Sequence, residues 1–231
     1  MVDLFSLELK RDGLHRLLGG GIPKGATVLI YGDYGSGKSI MCQRFAYAFL
    51  KHGYSVTYIS TELTTKGFVD QMESIDYPIK EHLLKKEIMF IPVYPLIGTL
   101  NTKTDFISKL TGTKELYDTD VVIIDTFSSL VKNDLTEGRS PEILSFFKKI
   151  AGMNKVIILT TDPKELREEV VAPFKSSADV FLSLKTDIFE GAMTHTLYVI
   201  RFNNAGGRIG DTIGFRVEPG AGLLVDITVV A

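Results

Sequence analysis

Thirteen residues, Thr27 to Ser39, constrain this 231-residue chain more than any other stretch. An apolar, β-branched run, Thr27-Val28-Leu29-Ile30-Tyr31, leads straight into Gly32-Asp33-Tyr34-Gly35-Ser36-Gly37-Lys38-Ser39. Two glycines five apart, followed by Lys and Ser, form the phosphate-loop pattern. Glycine takes positive φ without penalty, so successive N–H groups can turn inward and make a nest for an anion. The helix that follows adds unpaired N–H groups and the positive end of its dipole. Ile40 to Lys51 has that helical character, with Met41, Phe45, Ala48 and Phe49 at helical spacing. The loop therefore predicts a nucleoside triphosphate site. Asp33, Tyr34, Gly35, Ser36, Gly37, Lys38, Ser39 and Ile40 would surround the phosphates, Lys38 reaching the β- and γ-groups and the Ser39 hydroxyl sitting on Mg²⁺.

The bulk properties narrow the rest. With 26 Lys and Arg against 28 Asp and Glu, the net charge of −2 carries no polyelectrolyte signature for nucleic acid. A single Cys42 rules out an internal disulfide and fits a reducing compartment. No signal-peptide pattern is evident near the start, and no apolar run has the length of a membrane span, so a cytoplasmic protein without membrane insertion is expected. No Pro/Ser-rich or charged linker divides the sequence, which is read as one domain over 1–231.

In chain order, residues 3–18 suggest an amphipathic lead-in, and Gly19 to Gly25 a turn into the first strand. Tyr54 to Ser60 predicts a second strand, with Glu62 just beyond its end. Carboxylates at the carboxyl ends of parallel strands stand where such sheets do their chemistry, so Glu62 could activate a water. It could equally favour the start of the helix near Thr64. Residues 64–86 read as helix interrupted at Pro78, then a strand at 88–93, then an irregular segment at 94–104. Asp120-Val121-Val122-Ile123-Ile124-Asp125 has the pattern of a buried parallel strand, and after a phosphate loop Asp125 is the expected partner of a Mg²⁺-bound water. A helix at 141–151 and a strand at 155–160 follow, the latter ending in Thr160-Thr161-Asp162, which could sense the γ-phosphate or cap the strand. Residues 164–171 read as a charged surface helix, and the remainder as a β-meander. The expected fold is α/β: a mostly parallel central sheet flanked by helices, with an antiparallel extension at its C-terminal edge.

Gly-Gly-Gly-Ile-Pro-Lys-Gly before the first strand, the phosphate loop, Glu62, Asp125 and the terminal meander together resemble the RecA-like ATPases, in their KaiC-like branch. The stretches Tyr54-Ser-Val-Thr-Tyr-Ile-Ser-Thr-Glu-Leu-Thr-Thr and Ile91-Pro-Val-Tyr-Pro-Leu are similar to the KaiC-like accessory ATPases of the archaeal swimming motor, the archaellum. The resemblance implies a homo-oligomer, a hexameric ring with ATP between protomers. It would lie at the cytoplasmic face of a membrane complex beside a motor/secretion ATPase and a membrane-anchored scaffold protein. It also implies roles for Lys38, Ser39, Asp125 and Glu62, and a Lys and an Arg offered by each protomer to its neighbour's γ-phosphate. Here Arg201 stands at the Lys place and Asn203 replaces the Arg. A cation supplied in trans can be worth roughly 10³ or more in phosphoryl transfer, so weak or no ATP hydrolysis is expected. Three rivals remain: an actively hydrolysing motor, a nucleic-acid-dependent recombinase or translocase, and a self-phosphorylating kinase.

Overall fold

The computed structural model describes residues 2–93, 105–189 and 192–226; the irregular segment expected at 94–104 lies outside them. The chain begins with β1 (Leu4–Ser6), α1 (Leu14–Leu17) and β2 (Gly21–Pro23). It continues through β3 (Thr27–Gly32), α2 (Lys38–Lys51), β4 (Val56–Ser60), α3 (Thr65–Ser74), α4 (Lys80–Leu84) and β5 (Ile88–Pro92). Next come α5 (Phe106–Gly112), a 3₁₀ turn at Lys114–Tyr117, β6 (Val121–Asp125), α6 (Phe127–Val131), α7 (Ser140–Ala151), β7 (Val156–Thr161) and α8 (Glu168–Ser177). The meander is β8 (Val180–Phe189), β9 (Ala192–Phe202), β10 (Thr212–Glu218) and β11 (Gly222–Asp226).

Among the described residues nine strands form one sheet in the order β11-β10-β9-β8-β3-β7-β6-β4-β5. β8, β3, β7, β6, β4 and β5 run parallel, and β9, β10 and β11 are added antiparallel. The parallel strands are apolar on both faces because both are covered. Val28, Ile30, Val121, Ile123, Val156 and Ile158 point into the core beneath α2 and α3. Leu29, Val122, Ile124, Ile157 and Leu159 point into a second core beneath α5 to α8. Each such side chain, fully buried, stabilises the fold by roughly 1.5–3 kcal/mol relative to exposure. The register aligns the strand ends: Ser60 lies opposite Asp125, Tyr31 opposite Thr161 and Gly32 opposite Leu184. The phosphate loop, Glu62, Asp125 and the Thr160-Thr161-Asp162 stretch thus emerge together from the carboxyl ends of the parallel strands.

Two local expectations are corrected. The N-terminal lead-in is not one amphipathic segment, because β1 pairs antiparallel with β2 and ties it to the Gly-rich turn. The charged helix expected at 164–171 lies instead at Glu168–Ser177, where Val170, Val171 and Phe174 are buried against the second core. α2 is covered beyond its Met41, Phe45, Ala48 and Phe49 face, because the N-terminal segment, α3 and β11 pack on the side away from the sheet. Even Arg44 and Gln43 are therefore fully buried.

Candidate nucleotide site

The phosphate loop takes the backbone its glycines permit. Gly35 and Gly37 have φ of 77° and 94°, and a Cβ on Gly37 would stand 3.2 Å from the Phe215 ring. Gly32 has a different reason to lack a side chain: a Cβ there would lie 2.5 Å from Ser36 Oγ and 2.6 Å from the Leu184 carbonyl. Gly37 precedes α2 in a left-handed conformation, and no side chain among the described residues caps this helix. The first-turn N–H groups are thereby left for an anion. Lys38 Nζ, buried, donates to the Gly32 and Asp33 carbonyls at 2.7 and 2.8 Å and lies 3.9 Å from Asp162 Oδ2. Two donors are engaged, which leaves the third for a phosphate oxygen. Asp33 and Tyr34 stand exposed on the loop's outer side, Tyr34 being 86% exposed, while Lys164 pairs with Asp33.

Asp125, buried at the end of β6, is held by three hydroxyls. Ser39 Oγ and Thr160 Oγ1 donate to its Oδ1 at 3.2 and 3.1 Å, and Tyr58 OH donates to Oδ2 at 2.8 Å. Burial pushes its carboxyl above the usual range, against the pull of those hydroxyls and of Lys38. Glu62 sits at the rim, with the Thr126 hydroxyl 3.5 Å from its Oε1. Partial burial first, and then the Asp125 charge, raise its carboxyl as well. A carboxylate shifted upward is a better proton acceptor at neutral pH. The Asp125–Thr126 peptide is cis.

Between these groups lies a cavity of about 310 Å³, lined by Tyr34, Gly35, Gly37 to Ile40, Glu62, Thr126, His195 and Val217. A second, of about 270 Å³, opens on the other side of Glu62 between Thr61, Val93, Phe106 and Ser129. The oxygen-only pair of Ser39 and Asp125 suits Mg²⁺, a hard ion that keeps several waters and completes its shell with phosphate oxygens. The described residues contain no cluster of three or more His, Cys, Asp or Glu able to hold a metal by themselves.

The loop residues, Lys38, Ser39, Asp125 and Glu62 are thus brought together. Arg201 is placed elsewhere. It pairs opposite Phe181, on the level of Leu29 and well below the loop, and its Nη1 donates to the carbonyls of Lys175, Ser176 and Ala178 at 2.9 Å each. It closes the C-terminus of α8. Sequence reasoning missed Tyr58, Thr126 and His195. Tyr58 reads as an ordinary strand aromatic, Thr126 as a plain polar residue after the strand, and His195 belongs to no local motif.

A family model described as "ATPase: KaiC" matches residues 11–206. An archaeal flagellar ATP-binding protein FlaH from Methanocaldococcus jannaschii is 41% identical over 231 residues, 100% of this chain and 99% of that protein. The crystal structure of flagellar accessory protein FlaH from the same organism superposes with a TM-score of 0.92, covering 97% of this chain and 100% of that one. A KaiC-like protein of Pyrococcus horikoshii, 19% identical, shares the fold with a TM-score of 0.74 over 98% of this chain and 100% of its own.

Proposed function

This chain belongs to the KaiC-type ATPase family, in its archaeal flagellar FlaH branch, and on that footing we propose a nucleotide-gated assembly part of the archaellum base. The whole of 1–231 acts as one ATP-binding unit that forms a ring, with ATP and Mg²⁺ held at the carboxyl ends of the central strands near a subunit boundary. Occupancy of that site, more than turnover, governs ring assembly and engagement of the motor/secretion ATPase and its membrane-anchored scaffold at the cytoplasmic face. The single observation carrying this reading is the contrast between two sets of residues. Lys38, Ser39 and Asp125 converge at the uncapped start of α2, whereas Arg201 is committed to α8 carbonyls and Asn203 stands in the second basic place.

Each residue has a derivable part. The loop and the start of α2 donate N–H groups to the phosphates, and Lys38 adds one charged donor. Ser39 and Asp125 would hold Mg²⁺, whose charge would offset the negative charge of the phosphate oxygens. Glu62 orients a water and takes its proton, with Thr126 steadying the carboxylate. Without two cations from a neighbour, charge on the transferring group is incompletely stabilised, so turnover is slow.

No helix of the described residues is long and apolar enough to cross a membrane. A second reading, an actively hydrolysing motor, is favoured by Glu62 alone. Steady-state phosphate release at high protein concentration, with Glu62→Gln and Lys38→Ala alongside, separates the two. Tight ATP binding with little release supports the assembly reading. Brisk release abolished by Glu62→Gln would replace it with the motor.

A further inference from the structure

The β8–β9 hairpin runs past the end of the strand it packs on. β3 stops at Gly32, opposite Leu184, while β8 continues to Phe189 and β9 returns from Ala192. Thr186 and His195 face each other across this extension as a direct cross-strand pair, so their side chains share a face. That face meets the phosphate loop. Thr186 Oγ1 donates to the Gly35 carbonyl at 3.3 Å and lies 3.2 Å from His195 Nδ1. A hydroxyl has one hydrogen, so with Gly35 as its acceptor it receives from Nδ1–H, which assigns the imidazole tautomer from the network. The His195 ring stacks on Phe215 at 5.2 Å between centroids, and both rings wall Gly37.

The consequence follows from peptide geometry. In a trans peptide the carbonyl and the next N–H point in opposite directions. The Gly35–Ser36 peptide is thus fixed at both ends, its carbonyl by Thr186 and its N–H by the Asp33 carbonyl at 3.1 Å. This peptide sets the direction in which the chain enters Gly37 and the open end of α2. Burial holds His195 below the ordinary imidazole range, against a hydrogen bond that the ring donates to the Ser36 backbone, so the neutral ring assumed above is the form present at neutral pH.

We propose that Thr186 and His195 are positioning residues of the phosphate loop, whose hydrogen-bonded pair orients the Gly35–Ser36 peptide from outside and so sets how well the loop's N–H groups receive a triphosphate. This rests on the nucleotide-binding reading above. Thr186 acts through the Gly35 carbonyl and His195 through Thr186. Because the effect is on phosphate geometry, it is blind to the base.

The test is calorimetric titration of ATP, GTP and inorganic triphosphate, each with Mg²⁺, into the full chain. Thr186→Val should weaken all three by one common factor of about three- to tenfold, the span of one net hydrogen bond. His195→Phe, which keeps the stack on Phe215, should do the same, and Thr186→Ser should restore wild-type affinity. The double variant should be no weaker than either single one, since both break the same chain. Should Thr186→Val fold poorly, Thr186→Ala replaces it. Wild-type affinities in both variants, with binding lost in Lys38→Ala, would overturn the proposal and leave the nucleotide site standing. A loss confined to one base would overturn it too, by moving the pair into base recognition. If the wild type bound none of the three, the nucleotide reading would fall and this inference with it.

Discussion

Asp12→Ala should destabilise this protein severely, although Asp12 is far from any phosphate. Its carboxylate closes a two-point ion pair with Arg44 of α2, Nε to Oδ2 at 2.7 Å and Nη2 to Oδ1 at 2.8 Å. The two side chains are 2% and 0% exposed. Oδ1 also accepts the Leu14 N–H at 3.0 Å, so the same group starts α1. Truncation leaves a guanidinium in the core with no counter-charge, a cost of about 3–5 kcal/mol. Arg44 Nη1 already lacks a partner among the described residues, so no second acceptor stands ready. Set against a total stability of roughly 5–15 kcal/mol, that loss could unfold a large fraction of the protein. Urea unfolding followed by circular dichroism measures it. The companion variant Asp12→Leu/Arg44→Met removes both charges, and exchanging a buried pair for apolar groups is often close to neutral. It should therefore be more stable than Asp12→Ala alone. A single-variant loss below about 1 kcal/mol, or a double variant as unstable as the sum of its parts, would refute the reasoning.

Three further outcomes are expected. Tyr58→Phe removes the donor to Asp125 Oδ2 and leaves a buried carboxylate oxygen short of a partner. That should cost about 1–3 kcal/mol in urea unfolding and weaken Mg-ATP binding; unchanged values in both would count against the site geometry. Gly32→Ala drives a methyl group into the Leu184 carbonyl, which is backbone and cannot rotate away, so calorimetry should find nucleotide binding abolished and a wild-type affinity would contradict the loop geometry. Asp179→Asn should show a pH-dependent loss. Burial pushes the Asp179 carboxyl up, but Lys148 and the Thr27 N–H and hydroxyl outweigh it and hold it below the ordinary range. A depressed folded value stabilises above the unfolded pKa of about 3.9 and ceases to do so as pH falls through the folded one. The melting temperature gap between variant and wild type should be steady near neutrality and close below about pH 4; a gap independent of pH would contradict it.

Much of the fold was legible because its signals are local and mutually consistent. The phosphate loop has a fixed spacing, the strands around it are short apolar runs, and Asp125 ends one of them. What escaped depends on pairing across long separations. Nothing near Arg44 marks it as buried, since its partner Asp12 lies 32 residues earlier. Tyr58 shows its role only when β4 and β6 are laid side by side with Ser60 opposite Asp125. His195 enters the site because β8 and β9 outrun β3, a matter of strand length that alternation does not reveal. Helix α8 was shifted because charge at 164–169 outweighed the apolar Val170, Val171 and Phe174 that fix its buried side. Arg201 was readable as a residue type, but its engagement with α8 carbonyls was not.

The most direct test of the central claim is sedimentation velocity of the purified chain with and without Mg-ATP, for wild type, Lys38→Ala and Glu62→Gln. The account predicts a ring-sized species that needs nucleotide, persists in Glu62→Gln and is lost in Lys38→Ala. Assembly indifferent to nucleotide, or assembly that disappears in Glu62→Gln while ATP still binds, would contradict it.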